Sequence, residues 1–177
     1  KGKEAELQAA VSALGKLTDG NVTVTIGKNS NSPFSGLSGI ILHKVSGPHP
    51  SGNVGTQINK IDPINKGEIV WTVSAQDLVI IGELLLTGKF NAERVVAMAG
   101  SSISNPRYFV SKIGSEVATM IYDKGIEKDA NVRIISGNVL SGKQVSPSGN
   151  LDYYSNTITV IPEGDDYELF GWTMPVF

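Results

Sequence analysis

The sequence predicts a mixed α/β chain: an α/β portion first, then an α+β portion, then a β-hairpin segment. Two observations carry this reading. Apolar residues switch repeatedly between the helical period and the strand period along the chain, and the element order changes at Lys89 from alternating helices and strands to strand, strand, helix, strand, strand. That second order, over residues 94 to 145, is the order of a small β-grasp domain. The chain has 177 residues, 40% of them hydrophobic, enough for a real core. We therefore expect portions at 1–88 and 89–147, with 148–177 packing on the rest of the chain or on polypeptide outside it.

The elements follow in order. EAELQAAVSALGKL (4–17) spaces Leu7, Ala10, Val11, Leu14 and Leu17 as one face of an amphipathic helix, and Gly20 follows as a stop. NVTVTIG (21–27) is rich in β-branched residues and reads as a strand. GKNSNSPFSGLSG (27–39) is polar and predicts a mobile loop, after which IILHKV (40–45) resumes as a strand. The loop SGPHPSGNVGTQI (46–58) comes next, with Gln57 to Ile61 read as a short strand before the Asp62-Pro63 turn.

EIVWTV (68–73) is predicted as a strand, and Ser74 with Asp77 three residues later makes a capping-box-like start to a helix over 75–87. That helix is apolar on nearly every side, which predicts burial between layers, and Gly88 ends it. RVVAMAG (94–100) and RYFVS (107–111) are strands, and Gly114-Ser115-Glu116 caps a helix of about two turns, VATMIYD. VRIISG (132–137) and NVLSGKQV (138–145) read as strands around a Gly137-Asn138 turn. SPSGN (146–150) is a linker, and NTITVIPEG (156–164) with YELFGW (167–172) forms the hairpin.

Charge and composition remove several function classes. The net charge is −2, with scattered lysines and arginines, so no basic face for nucleic acid is indicated. The absence of cysteine excludes disulfides, thiolate zinc and cysteine-ligated iron–sulfur clusters on these residues. The longest apolar run, Leu78 to Leu86, is broken by Gly82 and Glu83 and is shorter than the roughly 20 residues of a membrane span. No secretory signal is visible. The chain starts at Lys1 and stops after a strand-like segment, and we expect an internal or C-terminally truncated fragment of a longer protein.

The 46–58 loop is the expected functional feature, because glycines at Gly47, Gly52 and Gly55 let backbone N–H groups approach a ligand or partner while Pro48 and Pro50 hold the path. It is not a P-loop: Gly47 and Gly52 have the spacing, but Asn53 stands where the lysine is required. His43 and His49 fit no metal-ligand spacing, and His49, between two prolines, is the better candidate for a polar contact. Ser136 and Ser141 precede glycines without a G-x-S-x-G or an activating histidine, so they read as turn residues. The acidic turn of Glu163, Asp165 and Asp166 lacks calcium-loop spacing. No acid, base or nucleophile constellation is present, so the isolated chain is expected to be non-catalytic.

Five stretches taken together resemble one family. SGPHPSGNVGTQI, KGEIVWTVSAQDLVIIGELLLTG, ERVVAMAG with PRYFVSKIGSEV, RIISGNVLSG and VIPEGDDYELFGW are similar, in order, to the A subunit of the bacterial Na+-translocating NADH:quinone oxidoreductase. The resemblance implies a peripheral subunit on the cytoplasmic side of the bacterial inner membrane, in a six-subunit complex that couples NADH oxidation by quinone to sodium export. It implies a degenerate Rossmann-like α/β domain followed by a soluble-ligand-binding β-grasp domain. It also implies that this chain binds no cofactor, that NADH, flavins and iron–sulfur centres belong to other subunits, and that its partners are quinone and the membrane-embedded B subunit. His49, Gly52, Asn53, Gly55 and Thr56 are then the expected quinone or subunit contacts. The competing expectation is a free-standing β-grasp module that binds a small ligand or glycan.

Overall fold

The computed structural model describes residues 2–122, 126, 131–165 and 169–173. Contacts divide the chain into two compact units, Lys1–Asn91 and Ala92–Phe177. The first unit begins with α1 (Glu4–Leu17), which buries Leu7, Ala10 and Val11 at helical spacing. Glu4 and Glu6 lie in its first turn and Lys16 in its last, matching the sign of the helix dipole. The strands β1 (Thr23–Gly27) and β2 (Ile41–Val45) pair in parallel from Thr23 opposite Ile41 to Gly27 opposite Val45.

The segment between them, predicted as mobile, is tied down. A 3-10 turn at Pro33–Gly36 carries Phe34 onto the cluster of Leu7, Ala10 and Leu78, where Leu37 also packs. Gln8 of α1 clamps Ser38 from both sides: its Oε1 accepts from Ser38 N at 2.9 Å and its Nε2 donates to Ser38 O at 3.1 Å.

Two short-range readings are corrected here. Residues 57–61, expected as a strand, are the end of helix α2 (Val54–Ile61), because Val54, Gln57, Ile58 and Ile61 form one helical face. EIVWTV (68–73) belongs to no helix and pairs with no strand among the described residues, because β-branched composition favours a strand without supplying a neighbour.

Helix α3 (Ala75–Thr87) starts and stops as its sequence predicts. Ser74 Oγ accepts from Asp77 N at 3.1 Å, and Gly88 adopts the left-handed conformation at φ 71° with its N–H on Leu84 O at 2.8 Å. Its burial is confined to the first part of the helix rather than complete: Leu78, Ile80 and Gly82 are buried, whereas Leu84, Leu85 and Leu86 in the last turn are exposed. The close contact with α1 passes over Gly82, where a Cβ would fall 1.8 Å from Glu6 O. Lys3 bridges the two helices through Glu6 at 2.9 Å and Glu83 at 3.5 Å.

The second unit is built on a five-stranded sheet. Its strands are β3 (Glu93–Ala99), β4 (Arg107–Lys112), β5 (Val132–Ser136), β6 (Lys143–Gln144) and β7 (Thr157–Pro162). The order across the sheet is β4-β3-β7-β5-β6. β7 runs parallel to β3 and antiparallel to β5, and Ile158, Thr159 and Val160 are all buried, as expected of a central strand covered on both faces. Along β3 the period is two: Arg94, Val96 and Met98 are buried while Glu93 and Val95 are exposed. Helix α4 (Val117–Ile121) lays Val117, Met120 and Ile121 on this core.

Three expectations about this unit change. The expected strand 138–145 shrinks to β6, because Asn138 Oδ1 accepts from Leu140 N at 2.9 Å and Ser141 N at 3.0 Å and folds the preceding residues into a turn. The expected C-terminal hairpin is instead the central strand β7. Of its second strand, residues 167 and 168 lie outside the described residues, and Gly171–Thr173 is a 3-10 helix.

SPSGN is no loose linker. Its neighbourhood caps α4, with Val117 N on Gly149 O and Ala118 N on Pro147 O, both at 2.8 Å, where Glu116 makes no side-chain cap. Asp123, expected at the end of that helix, lies outside the described residues.

Candidate functional site

β2 delivers the chain into the loop 46–53, and the loop delivers it into α2. Gly47 sits at φ 137°, a conformation L side chains rarely adopt, and its carbonyl accepts from Ser51 Oγ at 2.9 Å. Ser51 N and Asn53 N close successive turns on Pro48 O and Pro50 O at 3.0 and 2.9 Å. The His49–Pro50 peptide is cis.

One residue locks this loop to the sheet. Gln57, on α2, accepts from Thr25 Oγ1 of β1 at 2.5 Å through Oε1 and donates to Ser51 O at 3.1 Å through Nε2. The two bonds fix the orientation of its amide, since only the oxygen can accept and only the nitrogen can donate. Sequence reasoning passed over Gln57. Its signal was available: it is the polar residue on the otherwise apolar face of Val54, Ile58 and Ile61.

The five expected contact residues lie in the loop and the first turn of α2. His49, Gly52, Asn53 and Gly55 are exposed, and Thr56 is half-buried. Asn53 is the N-cap residue of α2, with its carbonyl accepting from Gln57 N at 3.0 Å and its side chain making no capping bond. A Cβ on Gly52 or Gly55 would meet nothing within 4 Å, so neither glycine is demanded by internal packing. His43 is half-buried in β2, in register with Thr25.

The other candidates resolve into structural roles. Ser136 is 1% exposed and its Oγ accepts from Asp152 N at 3.1 Å, so it caps a turn and is not presented to solvent. Ser141 Oγ is held by Asn138. They border an open cleft of about 270 Å³ that Lys143, Asp152 and Asn156 also line. Much of its polar lining is spent on the fold, with Thr159 Oγ1 donating to Gly137 O at 2.7 Å beside it.

In the acidic turn, Glu163 accepts from Arg133 Nη2 at 2.6 Å and Nε at 3.1 Å, a hydrogen bond that raises the arginine's already high pKa. Asp165 accepts from Asn131 at 2.6 Å. Buried Arg94 donates to Tyr153 O and stands 5.6 Å over the Tyr153 ring. Among the described residues no three His, Cys, Asp or Glu side chains converge on a metal-sized space, and no helix is long and apolar enough to cross a membrane.

Comparison with known proteins covers nearly the whole chain. Residues 1–90 match the family model described as the NqrA second alpha/beta domain, and residues 95–146 match the NQRA C-terminal domain. Relatives named as the A subunit of Na(+)-translocating NADH-quinone reductase include those of Neisseria meningitidis serogroup A, 38% identical over 92% of this chain, and Hahella chejuensis, 36% identical over 97%. That of Vibrio atlanticus is 37% identical over 94%. The chain spans 36 to 38% of the length of these relatives.

Proposed function

The chain belongs to the NqrA family, and from that membership we propose that it forms part of the A subunit of a sodium-translocating NADH:quinone reductase. The observation that carries this reading is the pair of family domains matched in order, residues 1–90 and then 95–146. In the proposed complex NADH oxidation by quinone drives sodium export. This portion is peripheral, on the cytoplasmic side of the inner membrane. It binds no cofactor of its own, and NADH, flavins and iron–sulfur centres are carried by other subunits. The lack of any paired acid and base among its candidate residues supports a shaping role rather than a chemical one.

In finer detail, the first portion (1–88) is a degenerate Rossmann-like domain and the second (89–147) a β-grasp domain, with 148–177 completing the latter. The parallel pairing of β1 with β2 supports the first assignment. The face of His49, Gly52, Asn53, Gly55 and Thr56 contacts the membrane-embedded B subunit or the quinone. In support, four of them are exposed, and two of those are glycines with open space where a side chain would be.

Affinity capture from detergent-solubilised native membranes tests the assignment. Recovery of the other pump subunits with the intact protein, together with sodium-stimulated NADH:quinone activity, is the expected result. A wholly soluble monomer that retains a small glycan or solute would replace the reading with a free-standing binding module. Saturation-transfer NMR with a soluble quinone on the 177-residue chain, wild type against His49→Ala, tests the contact face.

A further inference from the structure

Residues 69–73, Ile-Val-Trp-Thr-Val, form the most exposed apolar stretch of the first unit. Ile69 is 80% exposed and Trp71 88%, with Val70 and Val73 at 48% and 39%. Drawn out as a strand, Ile69, Trp71 and Val73 point one way and Val70 and Thr72 the other, so neither set is covered. The backbone edges are open as well. Among the described residues the nearest backbone hydrogen bonds are Glu68 N on Asn65 O before the segment and Leu78 N on Ser74 O after it.

The segment is bounded by a local turn and by a capped helix. Glu68 Oε2 accepts from Asn65 N at 2.7 Å and closes the turn that precedes it, and Ser74 caps α3 directly behind it. An open strand edge beside a capped helix is available for docking of another strand.

We propose that Ile69–Val73 is a docking strand, completed in the intact protein by a β-strand from the nearly two-thirds of the relatives' length that this chain does not span. Three considerations select this occupant. The first unit matches an α/β domain of the family, yet its only sheet among the described residues has two strands, and a two-stranded sheet is marginal on its own. The relatives carry ample further polypeptide to supply another strand. Insertion into lipid is disfavoured, because five non-helical residues would carry unbonded peptide groups into hydrocarbon. The proposal rests on family membership and not on the quinone or B-subunit contacts.

Hydrogen–deuterium exchange of peptides covering residues 68–74 tests it, measured on the 177-residue chain and on the intact protein, each at two protein concentrations and without membrane partners or quinone. The amides of 69–73 are expected to exchange at unprotected rates in the 177-residue chain at both concentrations, and to slow by roughly 100-fold or more in the intact protein. Fast exchange in the intact protein overturns the proposal. So does protection in the 177-residue chain that rises with concentration, which would assign the edge to a second copy. Because no other pump component is present, neither result bears on membership of the complex.

Discussion

Gly82→Ala is the sharpest test of how the first unit is held together. A Cβ at this position would lie 1.8 Å from Glu6 O and 2.4 Å from Glu6 C, and real Cβ contacts essentially never fall under 3.0 Å. The obstacle is backbone, so no side-chain rotation relieves it, and α1 must retreat from α3 by about 1.2 Å to restore even the limiting distance. A gap of that size strips a quarter to a half or more of the dispersion energy from the contacts among Leu7, Ala10 and Leu78.

Overpacking of this kind costs about 3 kcal/mol, while replacing a mid-helix glycine with alanine returns about 1 kcal/mol. The net loss is about 2 kcal/mol, which lowers the melting temperature of a unit this size by about 8–16 °C. Gly55→Ala is the matched control. It changes the same residue type inside α2, where a Cβ meets nothing within 4 Å, so it should raise the melting temperature by a few degrees. Calorimetry and far-UV circular dichroism on both variants decide the matter. If Gly82→Ala melts at or above the wild type, or if the two substitutions act with the same sign, the close-approach argument is wrong.

Three further outcomes are expected. Gln57→Ala removes the bonds to Thr25 and Ser51, and should cost about 1–2 kcal/mol in urea unfolding and speed amide exchange across residues 46–53; unchanged exchange there would show that Gln57 does not hold the loop. Ile158→Ala hollows the centre of the second sheet and should cost about 2–5 kcal/mol, lowering the transition of that unit while the first keeps its midpoint. Glu6 accepts a hydrogen bond from Lys3, which holds its pKa below the ordinary glutamate value, so its contribution to stability is fully present above that ordinary value and fades as pH falls through the lowered one. Carboxyl NMR titration of Lys3→Met should move Glu6 back up, and an unmoved Glu6 would reject the pairing.

The elements that the sequence discloses are those whose signals are local. α1 carries its own period, α3 its own cap and stop, and β3 its own alternation. The failures share a cause in non-local partners or competing short-range bonds. α2 is masked by Val54, Gly55 and Ile58, which favour strands or turns singly, while its helical face emerges only from the spacing to Ile61. EIVWTV has the composition of a strand, but no neighbour for it exists among the described residues, and composition cannot report that. Asn138 diverts a β-rich stretch into a turn through one side-chain oxygen. At the candidate site the glycines and prolines mark the loop, whereas the amide of Gln57 that fastens it to β1 depends on a residue 32 positions away.

The position of β7 has a consequence for synthesis. The strand that fills the middle of the second sheet is the last of its five to be made, and it pairs Thr157 with Ala97. At translation speeds of 5–20 residues per second, roughly 3–12 s separate the emergence of those two partners from the ribosome. Within that interval the β3–β4 pair offers an unpaired edge once Lys112 is made, and the β5–β6 pair offers a second once Gln144 is made. The second unit therefore closes late, and a nascent chain that halts between Gln144 and Thr157 presents two sticky half-sheets where the finished protein has one.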